Sequence, residues 1–178
     1  MTESVQSRLL VRVRIWLVLF IVGLILSGIT AFPLEHETGV LNRIFAVAPS
    51  APVAGEPALH GWLRRVHEGI VQTNRDYPFM AYGTDWLAFA HLVIAVVFVG
   101  PLLDPVRNKW VLAFGVIACV GVLPLALIAG PIRGIPPYWR LIDCSFGIIG
   151  AIPLIICLRY VRQIEASGSS KRQATPVP

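Results

Sequence analysis

Four stretches of this chain are almost free of charge, and their length limits the folds open to it. Ile15 to Leu34 and Trp110 to Ile132 hold no charged residue, and Trp86 to Leu103 holds only His91 as a titrating group. Cys144 to Leu158 is uncharged and extends back through Leu141 and Ile142 where Asp143 is accommodated. A helix crosses the hydrocarbon of a bilayer with about 20 residues, within a range of about 17–25. In lipid the backbone must satisfy its own hydrogen bonds, so each stretch reads as a helix. The expectation is an all-α, polytopic membrane protein with four transmembrane helices. Composition agrees: 56% of the residues are hydrophobic and 14% charged, where soluble domains carry about 25% charged residues.

Arg8, Arg12 and Arg14 precede the first stretch, as they would in a secretory signal. A signal core runs to about 7–15 residues and ends at a small-x-small site. This stretch is longer, and Ser27 to Ala31 makes a poor cleavage site, so it reads as a retained anchor. Basic residues then orient the chain. Arg8, Arg12, Arg14, Arg107, Lys109, Arg159, Arg162, Lys171 and Arg172 fall on one side, with few acids near them. Arg43, Arg64, Arg65, Arg75, Arg133 and Arg140 fall on the other, with most of the acids. Both termini are therefore expected in the cytoplasm. Topology accounts for the net charge of +5, and nothing in it implies a nucleic-acid partner.

The expected organisation is a cytoplasmic lead over 1–14, a four-helix membrane domain over 15–163 with an outer loop at 33–83, and a disordered cytoplasmic tail over 164–178. The tail loses its apolar pattern from Ser167 onward. In the outer loop, Ala48 to Pro57 reads as a Pro/Ala linker. Beyond Pro57, Leu59, Trp62, Leu63, Val66 and Ile70 recur at helical spacing, with His60, Arg64 and His67 on the other side. This predicts one amphipathic helix in the outer loop, lying on the membrane or capping the bundle.

Small residues four apart suggest where helices meet. Such pairs are Gly23 with Ser27, Gly115 with Cys119, and Gly147 with Ala151, with Gly121 and Gly150 nearby. Pro101, Pro124 and Pro153 are expected to kink or end their helices. The three cysteines form no CxxC pair and lie at different depths along their helices, so they read as small buried apolar groups. At the inner turn, Asp104 reads as a cap before Pro105.

One group of side chains bears on function. Asp85, His91, Arg133, Arg140 and Asp143 all fall toward the outer ends of the second, third and fourth helices. Ionisable groups in membrane segments are costly and generally face the bundle or a wet cavity. As a clamp, Arg140 and Asp143, three apart, pair with each other, or the carboxylate receives Arg133 and pins two helices. As a site, His91 titrates near neutrality, Asp85 or Asp143 orients it, and Arg133 or Arg140 holds an anion. The clamp is the favoured reading, and neither a catalytic residue nor a metal is assigned.

A haem b is the cofactor alternative, with His36 as the second histidine, although its depth does not clearly match that of His91. His60 and His67 are seven apart, roughly 10 Å along a helix, too far to share an ion, so they read as solvated. No phosphate loop, nucleophile elbow or HExxH is present.

The stretches "YGTDWLAFAHLVIAVVFVGPLLDPVRNKWV" and "IRGIPPYWRLIDCSFG" resemble segments of a family of small bacterial integral membrane proteins without an established activity. The resemblance spans roughly Arg12 to Arg162 and implies a four-helix protein of a bacterial cytoplasmic membrane. It brings no catalytic residues. The expected function is non-enzymatic, that of an accessory or interaction protein. Its partners are the lipid bilayer and a membrane protein or second copy of the chain. The alternative is a small carrier or oxidoreductase subunit with an outer polar pocket around His91.

Overall fold

A computed structural model describes residues 3–45 and 58–173, all helices and short turns with no strand among them. The helices are α1 (Glu3–Ala31), α2 (Leu34–Phe45), α3 (Ala58–Asp76), α4 (Ala81–Val97), α5 (Val99–Leu103), α6 (Lys109–Ile132) and α7 (Pro137–Gln173). A short 3₁₀ turn, Pro78–Met80, leads into α4. Four segments are long and apolar enough to cross a membrane: Val5–Ala31, Pro78–Leu103, Lys109–Ile132 and Pro137–Ser167. They contain three of the four uncharged stretches whole, and the first stretch from Ile15 as far as Ala31. The Pro/Ala linker at Ala48 to Pro57 lies outside the described residues.

Two expectations on boundaries change. The lead is helical from Glu3, and α7 continues through Gln173, past Ser167 where order was expected to end. The reason is packing beyond the apolar stretches. Leu9 and Val13 are buried on the extension of α1, and Val161 and Ile164 on that of α7. Lys109 Nζ also binds Glu165 Oε1 at 2.6 Å, tying the start of α6 to the far part of α7. The helix α2 is an addition, because its residues read as loop from sequence. It carries Glu35 and Glu37 in its first turn and Arg43 in its last, the arrangement that complements a helix dipole.

The chain forms two compact units, residues 1–23 with 95–178, and residues 24–94. In the first, α6 and α7 form the most extensive helix pair. Along α7, Gly147, Gly150, Leu154, Cys157, Val161 and Ile164 recur at alternating steps of three and four and are buried or half-buried. That is the spacing of a helix–helix seam. Glycines set how close the helices come. A Cβ on Gly115 would meet Leu154 Cδ1 and Phe98 Cζ, both at 2.6 Å, and one on Gly150 would meet Cys119 Sγ at 3.1 Å. Val13 and Leu17 of α1 are fully buried, and Cys157 Sγ donates to the Val13 carbonyl at 3.6 Å. Phe20 and Phe98 stack in a tilted pair with centroids 4.7 Å apart.

Of the three prolines expected to kink or end helices, Pro101 lies inside the short α5, three residues after the break at Phe98 that parts it from α4, while Pro124 and Pro153 end no helix. After α5 the chain turns tightly. Arg107 N donates to Asp104 Oδ1 at 3.0 Å, the expected cap. Asn108 Nδ2 lies 3.1 Å from Gly100 O and 2.9 Å from Asp104 O, stitching the turn to the end of α5.

In the second unit, the last turns of α1 pack on α4. A Cβ on Gly28 would meet Ala88 O at 2.9 Å and His91 Cβ at 3.2 Å. The small-residue pair expected here, Gly23 with Ser27, is not the contact: both are exposed, and Gly23 has nothing within 4 Å. Gly28 faces the neighbour because it lies on another side of the helix. Alongside, α2 and α3 pack as a hairpin.

Candidate functional site

The turn between α6 and α7, with the first two turns of α7, holds three of the five polar residues singled out from sequence. Its backbone explains why it is stiff. Gly134 has φ +70°, the left-handed region glycine enters without steric cost. Ile135 N donates to Gly130 O at 2.9 Å and Gly134 N to Pro131 O at 3.1 Å. This pair of bonds closes a helix C-terminus around a left-handed residue. The next helix starts at once: Trp139 N and Arg140 N both donate to Pro136 O at 3.1 Å.

Arg133 is the C-cap of α6 and is exposed. Arg140 lies in the first turns of α7, and its aliphatic stem occupies the space where a side chain on Gly130 would stand. Its Nε is shielded from solvent and has no hydrogen-bond partner among the described residues. Asp143 is half-buried one turn further along. Among the described residues no ion pair within 4.0 Å joins Asp143 to Arg133 or Arg140. The contact between the two helix ends is the Arg140 stem on Gly130, apolar packing by a long side chain rather than a charge pair.

Asp85 and His91 belong to the second unit, on α4. They are six residues apart, which separates them by roughly 9 Å of rise and about a third of a turn. Asp85 therefore does not orient His91. The ring is held by its own helix, with Nδ1 2.8 Å from Leu87 O. A carbonyl only accepts, so Nδ1 carries a proton, and in the neutral ring Nε2 keeps its lone pair. Around the start of α4, Tyr82, Trp86 and Phe89 form successive edge-on ring contacts with centroids 6.0 and 6.1 Å apart.

Sequence reasoning missed a second polar group, on the α2–α3 seam. His67, expected to be solvated, is half-buried. Its Nδ1 lies 3.1 Å from Thr38 Oγ1, and its ring covers Gly39, whose Cβ would come 3.1 Å from Cε1. The Thr38 hydroxyl lies 2.8 Å from Leu34 O and gives its proton there. It therefore accepts from His67 Nδ1–H, and in the neutral ring Nε2 again keeps its lone pair. Thr38 is committed to its helix and is not an activated nucleophile. Asn74 Nδ2 donates to Glu35 Oε2 at 2.8 Å further along the seam. The signal for this group was the Glu-His-Glu-Thr-Gly run after Pro33, a helix start misread as loop. Among the described residues no three His, Cys, Asp or Glu side chains converge as metal ligands.

Comparison of the chain with protein families, curated proteins and solved structures finds no match in any of the three.

Proposed function

We propose that the chain is a four-span protein of the bacterial cytoplasmic membrane with both termini in the cytoplasm. Its work is that of a non-enzymatic accessory or interaction protein. The observation that supports this reading is the make-up of the four spans. Each is long and apolar, yet only 17% to 28% of its most apolar window is buried inside the protein. Large apolar side chains such as Leu19, Val96, Ile117, Leu125 and Ile149 are exposed along them. Such surface is stable against lipid tails or the helices of a partner, and costly in water. In this arrangement α2 and α3 lie on the outer side, with α3 against the lipid surface. The α6–α7 turn locks the outer ends of two spans through Arg140 on Gly130.

Single cysteines at Ser7, Thr73, Arg107, Ile132 and Gln163, placed in a chain whose native cysteines are replaced by alanine, test the topology. A membrane-impermeant maleimide is expected to label positions 73 and 132 in intact cells. Positions 7, 107 and 163 should react only after permeabilisation, and the reverse pattern sinks the orientation. Crosslinking in native membranes tests the role: a partner or second copy at fixed stoichiometry is expected.

One observation favours a second reading. Nε2 of His91 has no partner among the described residues, so the ring has a nitrogen to offer a ligand in a small carrier or oxidoreductase subunit. A co-purifying quinone or a haem Soret band that His91→Ala removes would put this reading first.

A further inference from the structure

The α6–α7 turn and the first turn of α7 that follows it carry two guanidinium groups, Arg133 and Arg140, that make no ion pair among the described residues. We propose that this turn binds a phosphate group, that of a phospholipid headgroup at the membrane face it lines. Arg140 is the fixed donor and Arg133 the second. The inference rests on the membrane-spanning reading above and adds a ligand to the turn.

Four features carry it. First, Arg140 is rooted. Its stem packs over Gly130, and Nε is withdrawn from solvent without a hydrogen-bond partner among the described residues. A stem held in place by packing leaves the guanidinium tip less freedom to lose when a ligand binds. Second, the turn is preformed by the bonds to Gly130 O and Pro136 O. Little ordering is then needed when a ligand arrives. Third, the charge is unbalanced: two guanidiniums stand near the single carboxylate of Asp143, which pairs with neither. A guanidinium fork matches phosphate oxygens two at a time. Fourth, the turn joins the ends of two spans, Lys109–Ile132 and Pro137–Ser167. That depth is where lipid phosphates lie, and Tyr138 and Trp139 are residues favoured at the same level.

The test uses the full chain in nanodiscs of phosphatidylglycerol and phosphatidylcholine, with retained lipids counted by native mass spectrometry. The parent is expected to retain phosphatidylglycerol preferentially. Arg140→Met keeps an apolar stem over Gly130 and removes the guanidinium, while Arg133→Gln alters an exposed side chain. Each should weaken retention about tenfold, the worth of one charge-assisted hydrogen bond. Circular dichroism melts confirm that the variants are folded. Equal retention in parent and folded variants overturns the site. Displacement of the lipid by excess inorganic phosphate overturns the assignment to a headgroup. Alkaline carbonate extraction is measured separately on native membranes that carry the full chain. Release of the chain overturns the spanning reading, whereas resistance with unchanged lipid retention overturns this site alone.

Discussion

Gly147 of α7 lies against the backbone of α6 so closely that a Cβ there would stand 2.5 Å from the carbonyl oxygen of Cys119 and 3.1 Å from Val122 Cβ. A backbone oxygen cannot rotate away as a side-chain tip can. Gly147→Ala must therefore push the two helices apart, at about 1–3 kcal/mol for overpacking of this kind. Gly121 is the control, because a Cβ there meets nothing within 4 Å. Thermal unfolding in detergent is expected to show a lower midpoint for Gly147→Ala and an unchanged or slightly higher one for Gly121→Ala. Equal midpoints would mean that the helices are not in contact at Gly147.

The contrast between these glycines marks where the sequence stopped being informative. Four apolar helices were legible because hydrocarbon thickness imposes a length, and uncharged runs of that length are plain in one dimension. Gly147 was legible too, since Gly150 and Ala151 repeat its small surface on the same helix. The pair Gly23 and Ser27 has the same spacing but is exposed, while the unremarked Gly28 touches α4. Spacing gives a face, and only the neighbour's position decides whether that face is used. The same limit governs the polar residues. Arg140 and Asp143 are well spaced to pair on a helix, yet the Arg140 stem follows Gly130. His67 looked solvated because its partner helix α2 was not recognised, and a half-buried histidine needs that partner to be understood.

Thr38 joins α2 to α3 by accepting the Nδ1–H of His67 at 3.1 Å while its methyl-bearing carbon stays buried. Thr38→Val preserves the shape and removes the acceptor. The lost hydrogen bond is worth roughly 1 kcal/mol, and more if the imidazole N–H finds no water. Amide hydrogen exchange should quicken across residues 34–45 and 58–76 in Thr38→Val and stay near the parent rate in Thr38→Ser. Unchanged exchange in the valine variant would show that apolar packing alone holds this seam.

Asn108 satisfies two carbonyls, those of Gly100 and Asp104, through one amide nitrogen. The demand is for a donor. Asn108→Asp, close in size and shape, supplies only acceptors when ionised and sets them against two carbonyl oxygens. The expected loss is about 1–3 kcal/mol, as for a polar group deprived of its partner. Asn108→Asp should melt below the parent and no higher than Asn108→Ala, an order that reverses if the residue serves only to fill space.

The ion pair of Lys109 with Glu165 is short, 2.6 Å, but its side chains are 55% and 32% exposed. Exposed pairs contribute about 0–1 kcal/mol, because water and salt screen the attraction and two long side chains lose freedom. Lys109→Gln should thus lower the midpoint much less than Gly147→Ala does. Near 1 M salt the screening length falls to about 3 Å, and the remaining difference from the parent should shrink. A large, salt-independent loss would mean that Lys109 acts through the packing of its stem rather than its charge. The turn at Asn108 and the α6–α7 seam would then hold this end of the unit less firmly than their geometry implies.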